Sequence, residues 1–186
     1  MASQLTFQME TIQNGAVSLV PEIDGTRLTE LVADFEAGFS DSPTGGYGGI
    51  VPQHFKFGDL SKYYLGLDDH QWPAPGEVWL LGCECGEVGC WPLSAHVAVT
   101  EEMVVWSGFK QPYRTKRDYS RLGPFEFTRS QYDAAVQAAI AEMPDDQTTF
   151  DSHRSELRDS DGNLLTEEQA RERYDRPFSD RQPDDQ

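Results

Sequence analysis

The chain has 186 residues and a formal net charge of −17, with 32 acidic and 15 basic side chains. That charge repels a phosphate backbone or an anionic lipid surface, so general nucleic-acid and membrane-surface binding are excluded as expectations. The length favours one domain with a core of its own and leaves room for an appendage. The N-terminal MASQLTFQMETIQNG has neither a basic start nor an apolar stretch, so no signal peptide is expected. No apolar run is long enough to span a bilayer, which points to a cytoplasmic protein whose cysteines stay reduced.

Leu5, Phe7 and Met9 alternate with Thr6, Gln8 and Glu10, the period of a half-buried strand. Asn14-Gly15 signals a hairpin turn, and Val17, Leu19 and Ile23 suit the returning strand. Pro21 places that strand at an edge or a bulge. Leu28, Leu31, Val32 and Phe35 are spaced as one helix face, with Thr26 as the expected N-cap. The segment 40–58, rich in Gly and Pro, reads as a mobile surface loop; it lacks the Gly-Lys-Ser/Thr ending of a phosphate loop.

Val78-Trp79-Leu80-Leu81 is continuously apolar and predicts a central strand. Leu93, Ala95, Val97 and Val99 form a second, with His96 on the other face. Thr100-Glu101-Glu102 leads tightly into a third, Met103-Val104-Val105-Trp106, giving a consecutive antiparallel unit. Phe125 and Phe127 mark a further short strand. Thr128 and Gln131 read as a capping box for a helix with Tyr132, Val136, Ile140 and Met143 on its apolar stripe, stopped by Pro144.

Beyond that point acidic side chains outnumber basic ones and apolar residues are few, so 144–186 is expected to be a polar, extended or disordered tail with one possible short helix capped by Thr166 and Gln169. Its segment 159–170 starts like a calcium loop at Asp159, Asp161 and Asn163. Leu164 stands where the turn needs glycine and Ala170 where it needs a bidentate glutamate, so calcium binding is not expected. The expected fold is α+β: residues 1–143 forming an antiparallel sheet of about five or six strands with two packed helices.

Two segments carry chemistry. The first is GCECGEVGCWPL, residues 82–93, which holds all 3 cysteines as Cys83, Cys85 and Cys90. Gly82, Gly86 and Gly89 give the backbone freedom to fold sharply and bring the thiols together. Zinc wants four N or S donors, and His96 on the outgoing strand could supply the fourth. Three readings stay open: a structural Zn²⁺ site at Cys83, Cys85, Cys90 and His96; cysteines packed as small hydrophobes beside Trp91; and a thiol-dependent enzyme, redox or nucleophilic, centred on Cys85 or Cys90. A disulfide such as Cys83 to Cys90 is a lesser fourth. Glu84 and Glu87 argue against a nucleophile, because like charge disfavours a thiolate.

The second is WSGFKQPYRTKRDYSR, residues 106–121, the one positive island. Trp106, Lys110, Tyr113, Arg114, Arg117, Tyr119 and Arg121 interleave cations with aromatic faces, which suits an acidic peptide, a phosphorylated ligand or another acidic small ligand. The bland alternative is a long connection whose arginines pair with the chain's own carboxylates.

The turn C-x-C-G-x-x-G-C-W-P-L, the element W-x-x-F-x-Q-P and the element G-P-F-x-F-x-R-x-Q-Y, together spanning Leu80 to Ala135, resemble recurring elements of an uncharacterised bacterial protein family. The resemblance implies a bacterial cytosolic origin. It brings no activity and no catalytic residue, and His96 is not part of its pattern. The function expected is therefore a non-enzymatic binding or accessory protein with an unidentified partner, carrying a possible metal site at the cysteine turn.

Overall fold

The computed structural model describes residues 2–144 except Asn14 and Ser42. The tail expected over 144–186, with its calcium-loop-like segment and its Thr166–Gln169 cap, lies outside the described residues apart from Pro144. The fold is α+β, built on two antiparallel sheets that curl into a half-barrel.

The first sheet has strand order β1-β2-β3. Strands β1 (Leu5–Thr11) and β2 (Val17–Ile23) pair along their whole length, with Phe7 opposite Pro21. Leu19 donates its N–H to the carbonyl of Ile50. Two residues on, position 21 presents its nitrogen to the same side, away from β1, so proline forfeits no bond with that strand. Asp24 and Gly25 both take positive φ, 51° and 83°, and turn the chain into β3 (Thr26–Arg27). Helix α1 (Leu28–Glu36) follows at once. Thr26 is thus used by a strand and is not the N-cap; Arg27 occupies that position without a side-chain capping bond.

The second sheet has order β4-β5-β6-β7-β8. It comprises β4 (Tyr47–Gly48), β5 (Glu77–Cys83), β6 (Leu93–Val99), β7 (Met103–Lys110) and β8 (Phe125–Thr128). The consecutive antiparallel unit read from the sequence is the heart of this sheet. A four-residue helix, α2 (Leu60–Tyr63), starts on the Asp59 side chain, which accepts from the Ser61 N–H at 2.9 Å. Helix α3 (Arg129–Glu142) closes the described chain.

The 40–58 segment is not a mobile surface loop. Tyr47 and Gly48 pair with Cys83 and Gly82, and Ile50 bridges Leu19, so this stretch stitches the two sheets together. Its glycines permit close backbone approach: a Cβ on Gly49 would stand 2.3 Å from the Leu19 carbonyl oxygen. Tyr47, Ile50, Val51, His54 and Phe57 are buried. Gly48 and Gly49 mark crowding, while Gly45, Gly46 and Gly58 take positive φ of 71°, 79° and 80°.

The capping box expected at α3 does not form. Thr128 is the N-cap but makes no side-chain capping bond. Gln131 turns instead to the edge of β1, where its Oε1 accepts from the Leu5 N–H at 3.1 Å and its Nε2 donates to the Leu5 carbonyl at 2.6 Å. The side-chain amide replaces a missing neighbouring strand. Tyr132 and Val136 of the expected stripe are buried; Ala139 joins them, while Ile140 and Met143 pack at the margin. Trp106, Phe127 and Tyr132 meet edge-on or tilted, and the Trp106 indole donates to the Tyr132 hydroxyl at 3.1 Å. Among the described residues, no helix is long and apolar enough to cross a membrane.

Candidate metal centre

Strand β5 delivers Cys83 to the end of the second sheet, and the chain then doubles back. The Gly86 N–H donates to the Cys83 carbonyl at 2.9 Å, and the Cys83 N–H reaches the Glu87 carbonyl at 3.3 Å. Gly86 sits at φ 92°, a conformation that a side chain would strain. A single 3₁₀ turn, Val88–Cys90, then brings the third cysteine round. Gly82 lets this turn settle on β5: a Cβ there would lie 2.9 Å from the Val88 Cα.

The result is a cluster. The Sγ atoms of Cys83, Cys85 and Cys90 all lie within 4.8 Å of one another. None is in a disulfide; Cys83 is half-buried, and Cys85 and Cys90 are exposed. Thiolates bound tetrahedrally to zinc stand about 3.8 Å apart, given Zn–S bonds of ~2.3 Å. The donor set is therefore near the geometry a thiophilic cation needs. The Cys85 N–H points at the Cys83 sulfur at 3.4 Å, an arrangement that favours negative charge on that sulfur.

Other segments hold this turn from outside. His54, buried, places its Nδ1 3.1 Å from the Gly86 carbonyl oxygen. A carbonyl only accepts, so Nδ1 carries the proton there. The Tyr113 hydroxyl donates to the Gly89 carbonyl. The Glu84 N–H donates to the Gly46 carbonyl at 3.2 Å, and the Trp91 indole to the Gly45 carbonyl at 3.0 Å. The backbone of the turn is thus pinned on several sides while two of its sulfurs face solvent.

Cys83 and Cys90 are poorly disposed to ionise without a cation. Burial pushes the Cys83 thiol up to about 12, against an opposing contribution from the Cys85 N–H. The Cys90 thiol is also raised, first by burial, with the Glu87 carboxylate adding to it. A bound divalent cation reverses this balance and deprotonates its thiols.

His96 does not join the cluster. It is exposed on β6 opposite Glu77, at the far end of β5 from Cys83. Six strand residues separate those ends, roughly 20 Å at ~3.3 Å per residue. Its ring rests near Gly76, where a Cβ would be 3.5 Å from Cε1. The histidine that does approach the turn, His54, escaped the sequence reading because it lies in the 40–58 segment read as a loop.

The basic-aromatic segment divides. Trp106 is wholly buried in the core. Lys110, exposed at the end of β7, pairs with Glu77 at 2.7 Å. Tyr113 and Arg114 lie against the cysteine turn: the Tyr113 ring is 6.2 Å from that of Trp91, and the Arg114 guanidinium stacks over Trp91 at 5.0 Å. Arg114 also reaches Asp41 at 3.4 Å. Arg121 is exposed, and its charge helps hold the Asp118 carboxyl below the usual range, after the Ser120 hydrogen bonds.

Arg117 and Tyr119 turn inward to a carboxylate the sequence reading missed. Glu36, at the end of α1, is fully buried. It accepts from the Tyr47 hydroxyl at 2.7 Å, the Tyr119 hydroxyl at 2.6 Å and the Gly45 N–H at 2.8 Å. The Arg117 guanidinium approaches it at 3.1 Å and also bonds the Asp41 side chain and the carbonyls of Asp41 and Pro43. Every oxygen of this buried carboxylate is compensated, as a charge in such a place requires. No spacing rule would have joined positions 36 and 117. Sequence comparison adds nothing to this geometry: no family model, no curated protein and no solved structure matches the chain.

Proposed function

We propose that this protein is a non-enzymatic binding or accessory protein of the bacterial cytosol that holds a thiophilic metal ion, Zn²⁺ first, on Cys83, Cys85 and Cys90. The observation that carries the reading is the convergence of the three sulfurs within 4.8 Å on a turn whose backbone is fixed from outside. Three soft donors without a carboxylate among them suit zinc rather than magnesium or calcium. A reducing cytosol keeps such thiols available for the ion.

A nucleophilic or redox cysteine is the weaker reading. It needs a thiolate near neutral pH, supported by a cation or a helix N-terminus. Burial and neighbouring negative charge raise the Cys83 and Cys90 thiols instead. The part of the 106–121 segment left for recognition is its exposed cations Lys110 and Arg121, with the half-buried Tyr113 and Arg114 between them held against the cysteine turn. Arg117, Tyr119 and Trp106 serve the interior.

Elemental analysis of protein purified without added metal, repeated on Cys85→Ser and Cys90→Ser, tests the reading. One zinc per chain, lost in both variants, is expected. Metal-free protein that takes up no zinc on dialysis overturns it.

A further inference from the structure

The three sulfurs are one donor short of the four that a tetrahedral zinc site takes. Among the described residues the ligand group consists of Cys83, Cys85 and Cys90, with no imidazole or carboxylate in it. His96 is at the opposite end of β5. His54 approaches the turn but directs Nδ1 to the Gly86 carbonyl. Cys85 and Cys90 are exposed, so the cluster opens to solvent. Zinc sites closed by four protein ligands are structural, whereas a three-ligand site keeps a place for an external molecule.

Charge decides what class of molecule fits that place. A divalent cation on three thiolates carries a net charge of −1. Glu84 and Glu87, both exposed in the same turn, add more negative charge nearby. An anionic fourth ligand enters against this field; a neutral nitrogen donor does not. Resting on the metal reading above, we infer that the centre is a three-thiolate site whose fourth position is open and takes a neutral imidazole-type donor from outside in preference to an anion. Water fills the position when no such donor is present.

Cobalt(II) substitution tests this with the full chain. Co²⁺ added to the metal-free protein is expected to give thiolate-to-cobalt charge-transfer absorbance, which Cys85→Ser loses as it loses zinc. Imidazole is then titrated into the Co²⁺ protein, and azide into a second sample at matched ionic strength. A saturable shift of the cobalt d–d bands with imidazole, at a concentration at least tenfold below that needed with azide, is expected. Cobalt bands that imidazole does not move show a site closed by the protein and overturn the inference while leaving the metal reading standing. Azide acting as readily as imidazole overturns the charge argument, and with it the inference. Absence of any cobalt–sulfur absorbance removes the metal reading itself.

Discussion

Arg117 and Glu36 face each other 3.1 Å apart with side chains only 1% and 0% exposed. Removing one partner of such a pair strands the other charge, so Arg117→Met should destabilise the protein by about 3–5 kcal/mol. Pairing it with Glu36→Gln, which removes the stranded charge and keeps a carbonyl acceptor for Tyr47 and Tyr119, should recover part of that loss. Urea unfolding of the two single variants and the double variant measures the coupling. Equal, additive losses would show that the pair does not act as a unit.

Alkaline pH should unfold the protein through its buried phenols. Burial raises the hydroxyls of Tyr63, Tyr64 and Tyr132, and burial with the Glu36 carboxylate raises Tyr47 and pushes Tyr119 up to about 12. A group whose pKa is higher folded than unfolded favours the fold below its unfolded value and ceases to do so as pH rises. The contribution of these phenols to stability should therefore be level up to about pH 9, then fall from about pH 10 upward as the unfolded phenols ionise. The phenolate absorbance should rise steeply together with the loss of circular dichroism. Phenols that titrate near pH 10 in a chain that stays folded would contradict the burial described here.

Gln131 gives a test with a single atom pair. Gln131→Glu keeps an acceptor for the Leu5 N–H and replaces the donor that serves the Leu5 carbonyl. The carbonyl then faces a second acceptor, and a loss of roughly 1–3 kcal/mol is expected at neutral pH. Lowering pH to protonate the new carboxyl should restore some of it. Chemical denaturation at two pH values reads both effects, each corrected by the unmodified protein.

Gly86 links the fold to the candidate metal centre. Alanine there would adopt φ 92° and place Cβ 2.7 Å from Ile12 Cδ1 and 2.8 Å from His54 Nδ1. Gly86→Ala should lower the midpoint of thermal unfolding and weaken zinc binding at least tenfold, since the turn must reopen to relieve the clash. Competition with a chromophoric chelator measures the affinity. The hairpin Gly15, whose added Cβ meets nothing within 4 Å, is a control: Gly15→Ala carries the backbone strain without any contact with the metal turn.

Local pattern made much of this molecule readable. Alternation located β1 and β6, continuous apolar runs located β5 and β7, and helical spacing located α1 and α3. The glycines of the cysteine turn announced a sharp reversal, and the sulfurs do converge. What stayed hidden depended on partners distant in sequence. Glu36 gave no local sign of being buried, because its compensation comes from residues 45, 47, 117 and 119. Gln131 fitted a capping motif by spacing and was claimed by a strand edge instead. The 40–58 segment looked like a free loop because sequence does not reveal that β5 and β2 press on Gly48 and Gly49 from two sides. His96 was a plausible ligand by nearness along the chain, and the direction of β5 and β6 carried it away from the sulfurs.

The clasp between Gln131 and Leu5 bears on how the chain is made. The outer edge of the first hairpin is completed by a residue near the end of the described chain, and Ser3 is likewise bonded to the Glu126 carbonyl at 2.7 Å. As it leaves the ribosome, the hairpin segment finds Glu126 only once β8 is made and Gln131 only once α3 has followed. The hairpin must wait with a bare edge through the synthesis of more than a hundred residues, an interval in which a holding chaperone has the most to protect.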